Sequence, residues 1–165
     1  SRNAFLFETF GLNALLNAVR VNGKIFHMQM DWQDPKMLTT FVSYLKLKPH
    51  LRSLGPVDSK MTPEAMDYFA DSGHEINKKD QYRLNNLNLD YCYLEPKLFT
   101  QLSKSLAGNL TLVRLVLSNN HLGEDAVISL LTTLESNLAL VELSLAGNLL
   151  EDKFANAFGL MLCKN

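Results

Sequence analysis

Histidine and cysteine, the residue types most often found as metal ligands, general bases or activated nucleophiles, number four and two in this chain. His27, His50, His74 and His121 are scattered. No HExxH, no paired CxxC and no recurrent Cys-His set is present, so the spacings that hold zinc or activate a nucleophile are missing. Gly108-Asn109-Leu110 and Gly147-Asn148-Leu149 read as turns and do not form a phosphate-binding glycine loop. The expectation is therefore no catalytic residue, no metal ligand and no cofactor. The remaining chemistry is that of a binding surface, and the elements that would carry it follow from a repeat.

Leu84, Leu87, Leu89, Cys92 and Leu94, then Leu98, Leu102, Leu106 and Asn109, return as Leu112, Leu115, Leu117, Asn120 and Leu122, then Ala126, Leu130, Leu134 and Asn137. They return again as Leu140, Leu143, Leu145, Asn148 and Leu150, then Phe154, Phe158, Leu162 and Asn165, a constant offset of 28. Within each copy the first leucines alternate as in a strand, and the later apolar residues follow a helical stripe. Such a unit cannot bury its leucines alone. Neighbouring copies must cover both sides.

The first half of the chain carries the pattern less regularly. Residues 1–24 read as the tail of a preceding repeat or an N-terminal capping helix. Residues 25–83 read as two irregular repeats, with Ile25, Met28 and Met30 in the first strand and Asp34-Pro35 as N-cap and first helical residue. Thr62-Pro63-Glu64, Glu95-Pro96, Glu124-Asp125 and Glu151-Asp152 mark the later helix starts. Gly55-Pro56 makes the second strand the poorest. An inserted polar loop spans residues 72–83, and with Lys78, Lys79 and Arg83 it is a candidate contact. Residues 84–165 form three regular repeats. All belong to one domain, read as a fragment of a longer chain.

Composition limits the partners. Net charge is −1, from 16 basic and 17 acidic residues, which argues against general nucleic-acid binding. No apolar run reaches the length of about 18 residues needed for a membrane span. Cys92 and Cys163 sit at non-equivalent repeat positions, which fits a reduced, cytoplasmic protein. Asn109-Leu110-Thr111 is a formal glycosylation sequon, but Asn109, Asn137 and Asn165 all follow helices and read as caps.

Strand alternation points one set of side chains away from the helices. From it we expect partner-binding residues at His27, Gln29, Asp31 and Trp32, at Asn86, Asn88, Asp90 and Tyr91, and at Arg114 and Glu142. Trp32 and Tyr91 share a repeat position. Aromatics beside arginine and acids have the composition of interface hot spots, although Trp32 turned inward would fill a shortened loop equally well.

The period of 28, the Asn/Cys turn position and the full helix make residues 84–165 resemble ribonuclease-inhibitor-type leucine-rich repeats, with residues 25–83 a looser match. That resemblance implies an α/β leucine-rich-repeat solenoid, a right-handed horseshoe with a parallel β-sheet on the concave face and α-helices on the convex face. The subfamily includes the ribonuclease inhibitor, Ran GTPase activators, tropomodulin-type actin cappers, NOD-like receptor sensors and ciliary scaffolds. It implies a non-enzymatic protein-protein interaction scaffold in a larger intracellular assembly, cytoskeletal or ciliary among the possibilities. The alternatives are a GTPase activator using Arg114 as an arginine finger, or a NOD-like receptor sensor domain. The apolar C-terminal end is expected to meet further repeats or a partner.

Overall fold

The computed structural model describes residues 9–21, 27–32, 34–45, 51–71 and 84–165. Helix α1 (Thr9–Val21) precedes five strand-helix pairs. These are β1 (His27–Gln29) with α2 (Pro35–Leu45), β2 (Ser53–Gly55) with α3 (Pro63–Asp71), β3 (Asn86–Asn88) with α4 (Pro96–Leu106), β4 (Arg114–Val116) with α5 (Glu124–Leu134), and β5 (Glu142–Ser144) with α6 (Asp152–Lys164). The strands make one parallel sheet in chain order, β1-β2-β3-β4-β5. Each helix packs on the next. The proposed contact loop at 72–83 lies outside the described residues, as do His50 and His74.

Register follows the leucines. Met28, Leu54, Leu87, Leu115 and Leu143 stand side by side across the sheet. They face stripes such as Leu98, Leu102 and Leu106 on α4 and Val127, Leu130, Leu131 and Leu134 on α5. Burying each such side chain contributes about 1.5–3 kcal/mol. No single unit has a private core.

Local chemistry sets the element ends. Pro35, Pro63 and Pro96 open α2, α3 and α4, where a missing N–H costs no helical bond. Asp34 Oδ1 accepts the Lys36 N–H at 2.9 Å, and Thr62 Oγ1 accepts the Ala65 N–H at 3.2 Å. The second strand is better formed than Gly55-Pro56 suggested. Gly55 accepts from the Met30 N–H at 2.9 Å, and Pro56 falls just beyond the ladder. A Cβ on Gly55 would lie 3.1 Å from Gln29 Cγ and 3.3 Å from Asn88 Cβ, so the glycine lets three strands approach.

The described residues thus form an α/β structure with a five-stranded parallel sheet and six helices. It does not extend to the horseshoe expected from the sequence, because five strands spaced about 4.8 Å apart span only about 20 Å. Two packed layers result. Among the described residues no helix is long and apolar enough to cross a membrane.

Candidate protein-interaction surface

A buried polar ladder holds the turns that follow the strands. The Trp32 N–H donates to Ser59 Oγ at 2.7 Å, and the Met61 N–H donates to the Cys92 carbonyl at 3.3 Å. The Cys92 N–H donates to Asn120 Oδ1 at 2.9 Å, and the Asn120 N–H donates to Asn148 Oδ1 at 3.1 Å. Each unit is tied to the next. Ser59, Cys92, Asn120 and Asn148 occupy one structural position, and the place of Ser59 in that column escaped the sequence reading because the 72–83 insertion breaks the spacing.

Cys92 Sγ also donates to the Pro56 carbonyl at 2.8 Å. Burial pushes its thiol up to about 12, with Asp90 and Asp58 adding to the shift and the Ser59 N–H opposing it. Cys92 is therefore a structural thiol, while Cys163 is exposed. In native buffer at neutral pH, a thiol reagent should label one cysteine per chain quickly, and peptide mapping should place it at Cys163. Because the folded pKa lies above the unfolded one, stability should fall as pH rises from about 9 towards 12, where only the unfolded thiol ionises.

The ladder presents a continuous outward face. His27, Ser53, Asn86, Arg114 and Glu142 form one row across the sheet, and Gln29, Gly55, Asn88, Val116 and Ser144 form the next. His27 Nδ1 pairs with Ser53 Oγ, and Arg114 Nε donates to Glu142 Oε1 at 2.6 Å. Both partners of that ion pair are solvent-exposed, so it orients side chains and adds little stability. Asn119 Nδ2 donates to Asp90 Oδ1 at 2.8 Å, and Asn88 Oδ1 accepts the Asp90 N–H. Among the described residues, no group of three His, Cys, Asp or Glu side chains is placed to hold a metal ion.

His27, Gln29, Asp31, Asn86, Asn88, Asp90, Arg114 and Glu142 lie on this face, and Tyr91 stands at its turn edge with 45% of its surface exposed. Trp32 does not join them. It is 2% exposed, with its ring centroid 4.9 Å from that of Phe41. Eight residues separate His27 from Pro35, whereas ten separate Ser53 from Pro63, so the first turn is shorter. The indole fills the inward space.

The structure adds Tyr93 and His121 to the same edge, both exposed. Tyr91, Tyr93, Asn119 and His121 all have left-handed backbones, at φ 55, 47, 55 and 55. Gly147 repeats the Tyr91 and Asn119 position at φ 67, and a Cβ there would collide with Asn119 Oδ1. No residue-type signal marks a left-handed tyrosine. Only the offset of 28 relates these positions. The formal sequon is a structural cap: Asn109 is buried, and its Oδ1 accepts from the Thr111 and Leu112 N–H groups at 3.0 and 2.8 Å.

The fold defines a class of α/β protein built from stacked strand-helix units around one parallel sheet. Leiomodin-1 actin-binding site 2 is similar at a TM-score of 0.66 and 18% identity, covering 96% of this chain and 92% of its own. The tropomodulin C-terminal domain of Caenorhabditis elegans is similar at a TM-score of 0.66 and 13% identity, covering 93% and 92%. At these identities the likeness is one of fold. No family model matches the chain, and no curated protein matches it in sequence.

These findings correct the ribonuclease-inhibitor-type leucine-rich-repeat assignment drawn from the sequence. A leiomodin and a tropomodulin domain are among the solved structures that share the fold over more than nine-tenths of the chain. Leucine spacing reports how one unit stacks on the next, and that local requirement does not specify a family.

Proposed function

We propose that this chain is a non-enzymatic actin-binding domain of a cytoplasmic, cytoskeleton-associated protein. The observation that carries the reading is the fold shared with leiomodin-1 actin-binding site 2 over 96% of the chain. The outward face supports it with chemistry suited to a protein partner. Rigid strands present His27, Gln29, Asp31, Asn86, Asn88, Asp90, Arg114 and Glu142, and the ladder fixes Tyr91 beside them. That surface is polar and neither strongly acidic nor strongly basic, so shape and hydrogen bonding contribute more than steering by net charge.

Direct binding to monomeric actin and co-sedimentation with actin filaments test the reading. Wild-type protein should bind at least one form. A Tyr91→Ala, Arg114→Ala double variant should bind at least about tenfold more weakly, the loss expected when interface anchors are truncated. Absence of wild-type binding to both forms would reject actin as the partner. Equal binding by a folded double variant would remove this face from the contact.

A further inference from the structure

Three consecutive units meet at Asp90, on the turn edge of the outward face. Its N–H donates to Asn88 Oδ1 at 3.0 Å, and its carbonyl accepts the Asp58 N–H at 2.9 Å. From the following unit, Asn119 Nδ2 donates to its Oδ1 at 2.8 Å. The second carboxylate oxygen, Oδ2, has no hydrogen-bond or ion-pair partner among the described residues. Asn119 is in turn aimed by the next unit. Its N–H donates to the Ala146 carbonyl at 2.9 Å, its φ is 55, and its carboxamide lies over Gly147, where a Cβ would collide with Asn119 Oδ1. Glycine at 147 leaves the space that lets the carboxamide reach Asp90.

We infer that Asp90 accepts an arginine side chain of the partner, which is actin on the reading above, and that Asn119 and Gly147 are positioning residues for its carboxylate. A carboxylate with one oxygen anchored and the other presented makes a charge-assisted hydrogen bond, about twice as strong as a neutral one. Anchoring also removes side-chain freedom before the partner arrives, so less is lost on binding.

Local charge selects a cation. Asp58 sits on the neighbouring turn, and both carboxylates oppose ionisation of the Cys92 thiol, so their negative potentials overlap there. Arg114, on the same face, is taken up by Glu142. Arginine suits the site better than lysine. Its planar guanidinium bonds a carboxylate and stacks on an aromatic ring, and Tyr91, next in the chain, is exposed. One directed contact of this kind is compatible with a face of little net charge.

Two measurements test these roles. In actin binding, Asp90→Asn keeps an acceptor for Asn119 and removes the charge, so affinity should fall at least about tenfold with the melting temperature unchanged. Asn119→Gly deletes the carboxamide at a left-handed position that glycine accepts, and should weaken binding about threefold or more. Asp90→Asn combined with Asn119→Asp restores the bond with donor and acceptor exchanged and keeps the net charge, but moves the carboxylate one unit along. Its melt should match wild type while its binding stays as weak as that of Asp90→Asn alone. A merely structural bond would recover binding as well. Independently of actin, N-acetyl-arginine methylamide titrated to about 100 mM should give saturable NMR shifts at the Asp90 and Tyr91 amides, and Asp90→Asn should abolish them. Probe shifts without actin binding would replace actin by a different arginine-bearing protein and keep the site. Equal actin binding by Asp90→Asn, recovered binding in the exchanged variant, or probe shifts that survive Asp90→Asn would overturn the inference. So would the absence of both probe shifts and actin binding.

Discussion

Replacing Asn120 with leucine should destabilise the protein by about 3–5 kcal/mol, although leucine is similar in size and the site is buried. The side-chain amide reaches three carbonyls, those of Leu89 at 2.7 Å, Leu117 at 3.1 Å and Ser118 at 3.0 Å, and Oδ1 accepts the Cys92 N–H. Not all four lose their last partner. Leu117 O keeps the Asn148 amide and Ser118 O keeps the Tyr91 N–H. Leu89 O and Cys92 N–H lose the bond that Asn120 supplied, and a buried unsatisfied group costs about 1–3 kcal/mol. Urea denaturation should show a lower midpoint with an unchanged slope. Asn156→Ala, at an exposed site on α6, should stay within about 0.5 kcal/mol. A loss below about 1 kcal/mol for Asn120→Leu would mean that leucine packing, and not the polar ladder, holds the turns.

That prediction separates what the sequence discloses from what it does not. Leucine spacing discloses the strands and helices because each inward position must be apolar in every copy, as Leu87, Leu115 and Leu143 are. Asn120 and Asn148 are visible as a repeated turn residue, but the bonds that tie them to the preceding unit join residues 28 to 31 apart, and no local pattern records those. Ser59 performs the same role with a hydroxyl and is hidden by the longer spacing to Cys92. The outward face was legible from alternation, since strand side chains have only two directions. The turn edge was not, because Tyr93 and His121 have the residue types of ordinary surface positions and owe their placement to a left-handed backbone. Family was least legible of all, since the same stacking requirement is met by proteins with different partners.

Trp32→Ala should cost about 3–5 kcal/mol, the usual range for deleting a buried aromatic, whereas Tyr91→Ala at the exposed turn edge should cost less than about 1 kcal/mol. For a chain of this size that difference separates a fall of roughly 6–20 °C in melting temperature from one of a few degrees. The contrast arises from one turn. The short first unit draws the indole against Phe41, while the longer turn of the third unit holds Tyr91 outward at φ 55. Alanine suffers the same left-handed strain as tyrosine, so truncation there removes contact area without changing backbone energy. Tyr91→Gly should raise the melting temperature, because glycine accepts that φ without the cost of about 1 kcal/mol borne by a residue with a Cβ. If Trp32→Ala instead left the melt unchanged and weakened partner binding, the indole would belong to the interface and the inward packing against Phe41 would be wrong. With the expected result, loss of binding by any Trp32 variant reports unfolding, and only Tyr91 and its neighbours on the outward face can be used to map the contact.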